Sequence, residues 1–349
     1  MKRTSFNAVL ILSLFIFINN SFASRPVVLV FIIDGLQTDA AKTAMASGAA
    51  NLKFLYDNGV WVEEAYCVSP APLLILPDSS LPWSTSSPPN VAMHTGTHIF
   101  ESRQMDDIFL EAEKAGIKSV FSGGARNYKE FNTADYSLAL NDLTDSAVVQ
   151  FGIDHFLKDN AHLIRLHLQK ARRYWDGPQC KTDPDSRYEK HLLHVDSLLG
   201  KFINVIKMKG LWDSTYIIVA GDHGMGITSE SEHPPSVISS WKPYMNFYGP
   251  GIKKGESIPY AESPDIAILI DYLLRLKPLK GHLDPKVPAE LRGTTGTLLT
   301  NIFTGHAREL KHPMLIKKYL ESKNWKPSDG YADYRLGMIS LIEKMSRKN

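Results

Sequence analysis

Val27-Val-Leu-Val-Phe-Ile-Ile33 is an unbroken apolar run that stops at Asp34-Gly35. A strand with no polar residue on either face has to be covered on both, which is the situation of an interior strand in a parallel sheet. Residues 40–46, which follow, are rich in helix formers. Strand, acid-bearing turn and helix make a βα unit, and Asp34 leaves the sheet at its carboxyl edge, where ligands collect in open α/β sheets. A second apolar run, Tyr216 to Ala220, ends just as abruptly at Gly221-Asp222-His223-Gly224. Two potential metal ligands therefore stand side by side past another strand, on the edge that carries Asp34.

The rest of the chain keeps the alternation. Residues 60–68 read as a strand interrupted by Glu63 and Glu64, 104–115 as an amphipathic helix and 117–121 as a strand. Residues 145–157 read as a helix, 162–168 as a strand and 186–209 as a long helix with Leu192, Val195, Leu199, Phe202 and Ile206 on one stripe. A strand at 244–248 then leads through Gly249-Pro250-Gly251 to a helix at 264–276, and the C-terminal part is helical or irregular. This order predicts an α/β fold with a doubly wound, mostly parallel central sheet and helices on both faces. His191 and His194 share the long helix but have no third ligand nearby, so they read as surface or packing histidines.

Residues 1–23 stand apart. Lys2 and Arg3 precede an apolar run over 8–18, and Ser21-Phe22-Ala23 supplies small residues at both cleavage-determining positions. The pattern predicts a secretory signal cut after Ala23 and an exported protein, with 24–349 as one domain that ends in a helical extension. The run is shorter than the roughly 20 apolar residues a spanning helix needs, and no second one follows, so no membrane span is expected. Without Lys2 and Arg3, the 39 basic residues fall to 37, against 37 acidic ones. A balanced chain with scattered signs offers no surface for nucleic acid. The 2 cysteines, Cys67 and Cys180, are compatible with pairing or with free thiols.

A proline-studded stretch at 69–89 excludes helix and central strand, and marks a long shaped loop. It ends in Ser87-Pro88-Pro89-Asn90, the pattern of a helix start with Ser87 at the cap. A hydroxyl at a helix N-terminus faces free backbone N–H groups, which makes an anion site with a nucleophile already in it.

Taken in order, Ile32-Ile33-Asp34-Gly35-Leu36, Ser87-Pro88-Pro89-Asn90 with Thr95-Gly96, Gly221-Asp222-His223-Gly224-Met225 and Tyr248-Gly249-Pro250-Gly251 resemble the alkaline phosphatase superfamily, in its branch of type I phosphodiesterases and nucleotide pyrophosphatases. The resemblance implies a metal-dependent hydrolase of phosphate esters acting through a covalent intermediate on Ser87, with Asn90 holding a substrate oxygen. It implies that Asp34, Asp222 and His223, with the Ser87 hydroxyl, hold one divalent ion, and that His233 serves a second. Mixed oxygen and nitrogen donors suit Zn²⁺ best, with Mn²⁺ also compatible.

One segment departs from the family. Where the family places an Asp and a His for its second ion, this chain has Lys170-Ala-Arg-Arg-Tyr174-Trp-Asp-Gly177-Pro178, so Lys170 and Tyr174 stand at those positions. The expectation is therefore one ion, with Lys170, Arg172 or Arg173 facing the substrate anion, and Asp176, Asp183 or Asp185 as shifted ligands in the alternative. A formylglycine sulfatase is not matched, because Val91 stands where that motif has Arg. Two other readings stay open: a binding protein whose catalysis has lapsed, and a one-metal hydrolase of sulfate esters. The expected partner is a small phosphate or sulfate ester; the loop residues do not spell out which.

Overall fold

The computed structural model describes residues 25–70, 88–125, 133–227, 233–305, 310–328 and 330–347. The expected leader and Ser87 lie outside the described residues. From the N-terminus the elements are β1 (Val27–Ile33), α1 (Thr38–Ala46), α2 (Ala50–Asn58), β2 (Val60–Tyr66), α3 (Pro88–Thr95) and α4 (Ile108–Lys114). Then come β3 (Ser119–Gly123), β4 (Tyr136–Ala139), α5 (Asp145–Lys158), β5 (Leu163–Leu168), α6 (Arg187–Met208) and β6 (Thr215–Ala220). β7 (Met245–Tyr248), β8 (Glu256–Glu262), α7 (Ser263–Leu274), α8 (Ala289–Arg292), α9 (Leu315–Ser322) and α10 (Tyr331–Ser346) follow.

The strands form one sheet in the order β4-β3-β5-β1-β6-β7-β2-β8. All neighbours are parallel except at β7, which runs antiparallel to both β6 and β2. β1 sits inside the sheet and separates two apolar layers. Val28, Val30 and Ile32 pack into the layer that holds α3, α4 and α7. Val27, Leu29, Phe31 and Ile33 pack into the layer that holds α1, α2, α5 and α6. Both faces of the run are needed, which is why it carries no polar residue. The expected stripe of α6 is fully buried in the second layer. His191, on the flank of α6, meets Asp145 at 2.8 Å, and His194 meets the Ser146 hydroxyl at 3.4 Å.

Several boundaries differ from the sequence expectation. The helix expected from residue 104 starts at Ile108, because Asp107 takes the cap and accepts the N–H groups of Phe109 and Leu110 at 2.8 and 2.9 Å. Gln104 instead gives its carbonyl to the N–H of Leu283, at 2.8 Å. β3 starts at Ser119, whose N–H is held by the Asp135 carboxylate at 2.9 Å. β8 gave no strand signal because Pro259 interrupts it and its ends are acidic; it is an edge strand, where proline is tolerated.

The C-terminal helices are tied to the sheet through the start of α7. Glu262 and Asp265 form a reciprocal capping box there. Glu262 also meets His98 at 2.6 Å and accepts the Tyr260 hydroxyl at 2.6 Å and the N–H of Ile316 at 2.8 Å. Asp265 meets His312 at 2.8 Å. Cys67 and Cys180 are both buried free thiols. Among the described residues no helix is long and apolar enough to cross a membrane.

Candidate active site

The ends of β1 and β6 meet backbone to backbone. The N–H of Asp34 donates to Leu168 of β5 at 2.9 Å, and Leu36 turns back onto Ile33 at 3.0 Å. Gly35 makes that turn at φ +74°, a left-handed conformation that favours glycine. After β6, the N–H of Gly221 donates to Tyr244 at 2.9 Å, and Tyr244 donates to Leu36 at 2.8 Å. A Cβ on Gly221 would come 2.3 Å from the Leu36 carbonyl oxygen, so the two turns touch without room for a side chain.

This contact brings Asp34, Asp222 and His223 together, each at most 2 % exposed. Asp222 Oδ1 accepts the N–H groups of Gly35 and His223 at 3.2 and 3.0 Å. Asp222 Oδ2 accepts the Asn90 amide at 2.9 Å. The other end of that amide, Oδ1, accepts from buried Arg165 at 2.5 Å. Arginine only donates, so Asn90 must present oxygen to it and nitrogen to Asp222. Asn90 therefore spends one amide N–H on fixing Asp222 and keeps a second N–H on the same nitrogen. His223 Nδ1 lies 2.8 Å from the Gly224 carbonyl, which can only accept, so Nδ1 carries a proton and Nε2 is the nitrogen turned toward the carboxylates. That Nε2 is 3.5 Å from Asp34 Oδ1 and 3.6 Å from Asp222 Oδ2.

His167, which sequence reasoning passed over, enters from β5. Its Nε2 lies 3.5 Å from Asp34 Oδ2 and 3.6 Å from Asp222 Oδ2. The available signal was a histidine near the end of a strand otherwise read as buried and apolar. Which strand lies beside β1, however, is a matter of sheet order.

The three expected cations part company. Lys170 Nζ is 3.7 Å from Asp142, and Arg173 is 2.5 Å from the same carboxylate, both away from the Asp34 cluster. Arg172 Nε instead reaches Asp34 Oδ1 at 3.4 Å. Its Nη1 lies 3.3 Å from His233 Nε2. His233 donates from Nδ1 to the Pro70 carbonyl at 2.7 Å, and its ring lies over that of His223 with centroids 3.9 Å apart. Tyr174 is away from the cluster, with its ring 5.0 Å from that of His191 and beneath Arg187. Asp183 accepts the N–H of Asp185 at 2.9 Å, and Asp185 pairs with Lys190, so this pair forms a surface turn.

The electrostatics follow from these contacts. Burial would raise the Asp34 carboxyl, but Arg172, His167 and His223 together outweigh it and hold the group well below the usual carboxylate range. Burial, reinforced by His223, pushes His233 down to about 4, so it is neutral and accepts from Arg172. Asp34 Oδ1 is buried and has no hydrogen-bond donor among the described residues. Two carboxylates buried side by side, with an imidazole nitrogen turned toward them, are a donor set that fits a divalent cation.

Comparisons with known proteins bear on the family and the fold. The family model described as "Type I phosphodiesterase / nucleotide pyrophosphatase" matches residues 81–256. A bis(5'-adenosyl)-triphosphatase of Mus musculus is 35% identical over 66 residues, which is 18% of this chain and 14% of that protein. Murine ectonucleotide pyrophosphatase / phosphodiesterase 5 superposes with TM-score 0.55 at 15% identity, over 80% of this chain and 100% of that one. A Bacteroides thetaiotaomicron protein of glycosaminoglycan metabolism superposes with TM-score 0.57 at 13% identity, over 82% and 78% of the two chains. At such identities the structural likenesses speak for the alkaline phosphatase-like fold alone.

Proposed function

This chain belongs to the type I phosphodiesterase / nucleotide pyrophosphatase family, and from that premise we propose that it is an exported, divalent-metal-dependent hydrolase of phosphate diesters that works with a single ion. The observation that carries the reading is Arg172, whose guanidinium bridges Asp34 and His233. Asp34, Asp222 and His223 hold the ion, Zn²⁺ or Mn²⁺. Once bound, it polarises a phosphoryl oxygen and lowers the pKa of a nucleophilic hydroxyl. His233 serves no second ion in this reading; it orients Arg172.

The chain's own groups do the rest. Ser87, directly before α3, attacks phosphorus as the alkoxide, its proton passing to solvent. The bond to the leaving alcohol breaks, and that oxygen takes up a proton. Water then attacks the phosphoserine and restores the hydroxyl. Arg172, with 26% of its side chain exposed, offers a two-pronged donor to the non-bridging oxygens. Asn90 and Arg165 keep Asp222 from turning away.

Charge counting points to the substrate class. Asp34 and Asp222 cancel a dication, buried Arg165 is turned to Asn90, and among the described residues Arg172 is left as the one cation at the open side of the site, which matches a diester monoanion better than a monoester dianion. The test is metal content together with hydrolysis of bis-p-nitrophenyl phosphate by the exported protein. One ion per chain is expected, with activity lost to a chelator and lost in Ser87→Ala while folding is kept. Two tightly held ions would contradict the one-ion assignment, and a near-parental rate in Ser87→Ala would contradict the nucleophile. A metal-loaded protein inert toward diesters and monoesters alike would leave the binding-protein reading.

A further inference from the structure

β5-β1-β6 are three contiguous strands, and each delivers one side chain to the same point. His167 pairs in register with Ile32, one residue inside the end of β1, while the N–H of Asp34 is bound to Leu168. The register therefore fixes where the His167 ring stands relative to both carboxylates. Its Nε2 sits 3.5 Å from one and 3.6 Å from the other, and the three side chains offer donor atoms all within 4.8 Å of one another. These separations are long for N–H···O bonds, which cluster at about 2.9 Å. They are close to what a metal imposes: donors about 2.1 Å from a common tetrahedral centre stand about 3.4 Å apart.

The surroundings agree. His167 and Arg165 point to the same side of β5, where the neighbouring strand residue Leu163 packs into the α3 layer. Arg165 is engaged by Asn90, which in turn holds Asp222. His167 is fully buried and lies between two carboxylates.

We propose that His167 is a direct ligand of the ion, so that the seat comprises Asp34, Asp222 and His167, with His223 joining from the Oδ1 side of Asp34. This rests on the reading that the protein holds a divalent ion. The seat then draws on strands on both sides of β1 rather than on the β1 and β6 turns alone. His223, on a turn, is the more adjustable of the two imidazoles.

The experiment uses the full exported protein, stripped with a chelator and titrated with Zn²⁺ by calorimetry and with Co²⁺ by visible absorption. Parent protein, His167→Asn, His167→Gln and the surface control His194→Asn are compared, with circular dichroism verifying the fold. Loss of a residue that merely supports a ligand costs about 10–100-fold in affinity. A ligand should cost more, so we expect more than about 100-fold weakening in both His167 variants, a changed Co²⁺ absorption band, and no change in His194→Asn. Nitrogen NMR of the labelled parent adds a readout independent of variant folding: Zn²⁺ should shift an imidazole resonance of His167. Parent-like affinity with an unchanged Co²⁺ band in the variants, or an unmoved His167 resonance, overturns the assignment while leaving the one-ion hydrolase intact. A parent that takes up neither Zn²⁺ nor Co²⁺ overturns both.

Discussion

Arg172 and Lys170 are neighbours in sequence that face different carboxylates, and the difference decides which one can meet a substrate. The segment turns through a short 3-10 helix at Arg172–Tyr174, which sends Arg172 to Asp34 and leaves Lys170 and Arg173 with Asp142. Arg172→Ala should lower kcat/KM on a diester by about 100-fold or more, the scale of losing a preorganised anion donor. Arg172→Lys should recover part of that through charge without the fork. Lys170→Ala should stay within about twofold of the parent, since its partner is a surface carboxylate. Steady-state kinetics at saturating metal decide the matter, and equal losses for Lys170 and Arg172 would reverse the assignment. The meeting of Asp34, Asp222 and His223 was legible because each follows a recognisable strand. The choice among the cations was not, because side-chain direction in a one-turn helix depends on packing that local sequence does not encode. His167 was hidden for a different reason: its chemistry depends on a neighbour far away in the chain.

α6 shows the same limits at the level of an element. Its extent and buried stripe follow from periodicity, and Ser186 caps it by accepting the N–H of Glu189 at 3.1 Å. Ser186→Ala should cost about 1 kcal/mol in denaturant unfolding. Ser-x-x-Glu suggests a reciprocal box, yet both Glu189 carboxylate oxygens are buried without a hydrogen-bond partner among the described residues. Burial first, and then the charges of Asp39 and Asp183, push Glu189 up to about 8 from its ordinary 4.5. An acid raised in the folded state favours its neutral form there, so its contribution is most favourable at low pH. That stability drains away as pH rises from about 4.5 to about 8 and then levels off. Glu189→Gln should therefore flatten the fall in Tm across this window; an unaltered Tm-against-pH curve would remove Glu189 as its source. The start of α7 is the opposite case, with both carboxylate oxygens of Glu262 engaged. Glu262→Ala should cost about 3–5 kcal/mol, because His98 and the Ile316 N–H lose a buried partner. Limited proteolysis should then cut first near α9. Edge strands β4 and β8 escaped the sequence because neither carries an uninterrupted apolar run, whereas β1 could be read without any neighbour.

For the whole molecule, the doubly wound order was readable because covered parallel strands leave continuous apolar runs, while the reversal of β7 was not, because strand direction leaves no mark in a four-residue strand. Three contiguous strands position Asp34, His167 and Asp222, so ion binding and global stability should be linked. Zn²⁺ at about 100 times its Kd should add about 2.7 kcal/mol to the unfolding free energy. Asp222→Ala should erase that gain, as read from melting with and without metal, and an equal gain in the variant would place the ion elsewhere. The backbone contact between the two ligand-bearing turns also bears on modularity. Gly221 fits against Leu36 only because neither turn projects a side chain into the other, and Tyr244 stitches both together. Neither turn is therefore a portable cassette: a chimera that imports one from a relative brings a foreign surface against a native one, while a chimera that imports both, together with the Tyr244 strand start, transplants an intact joint.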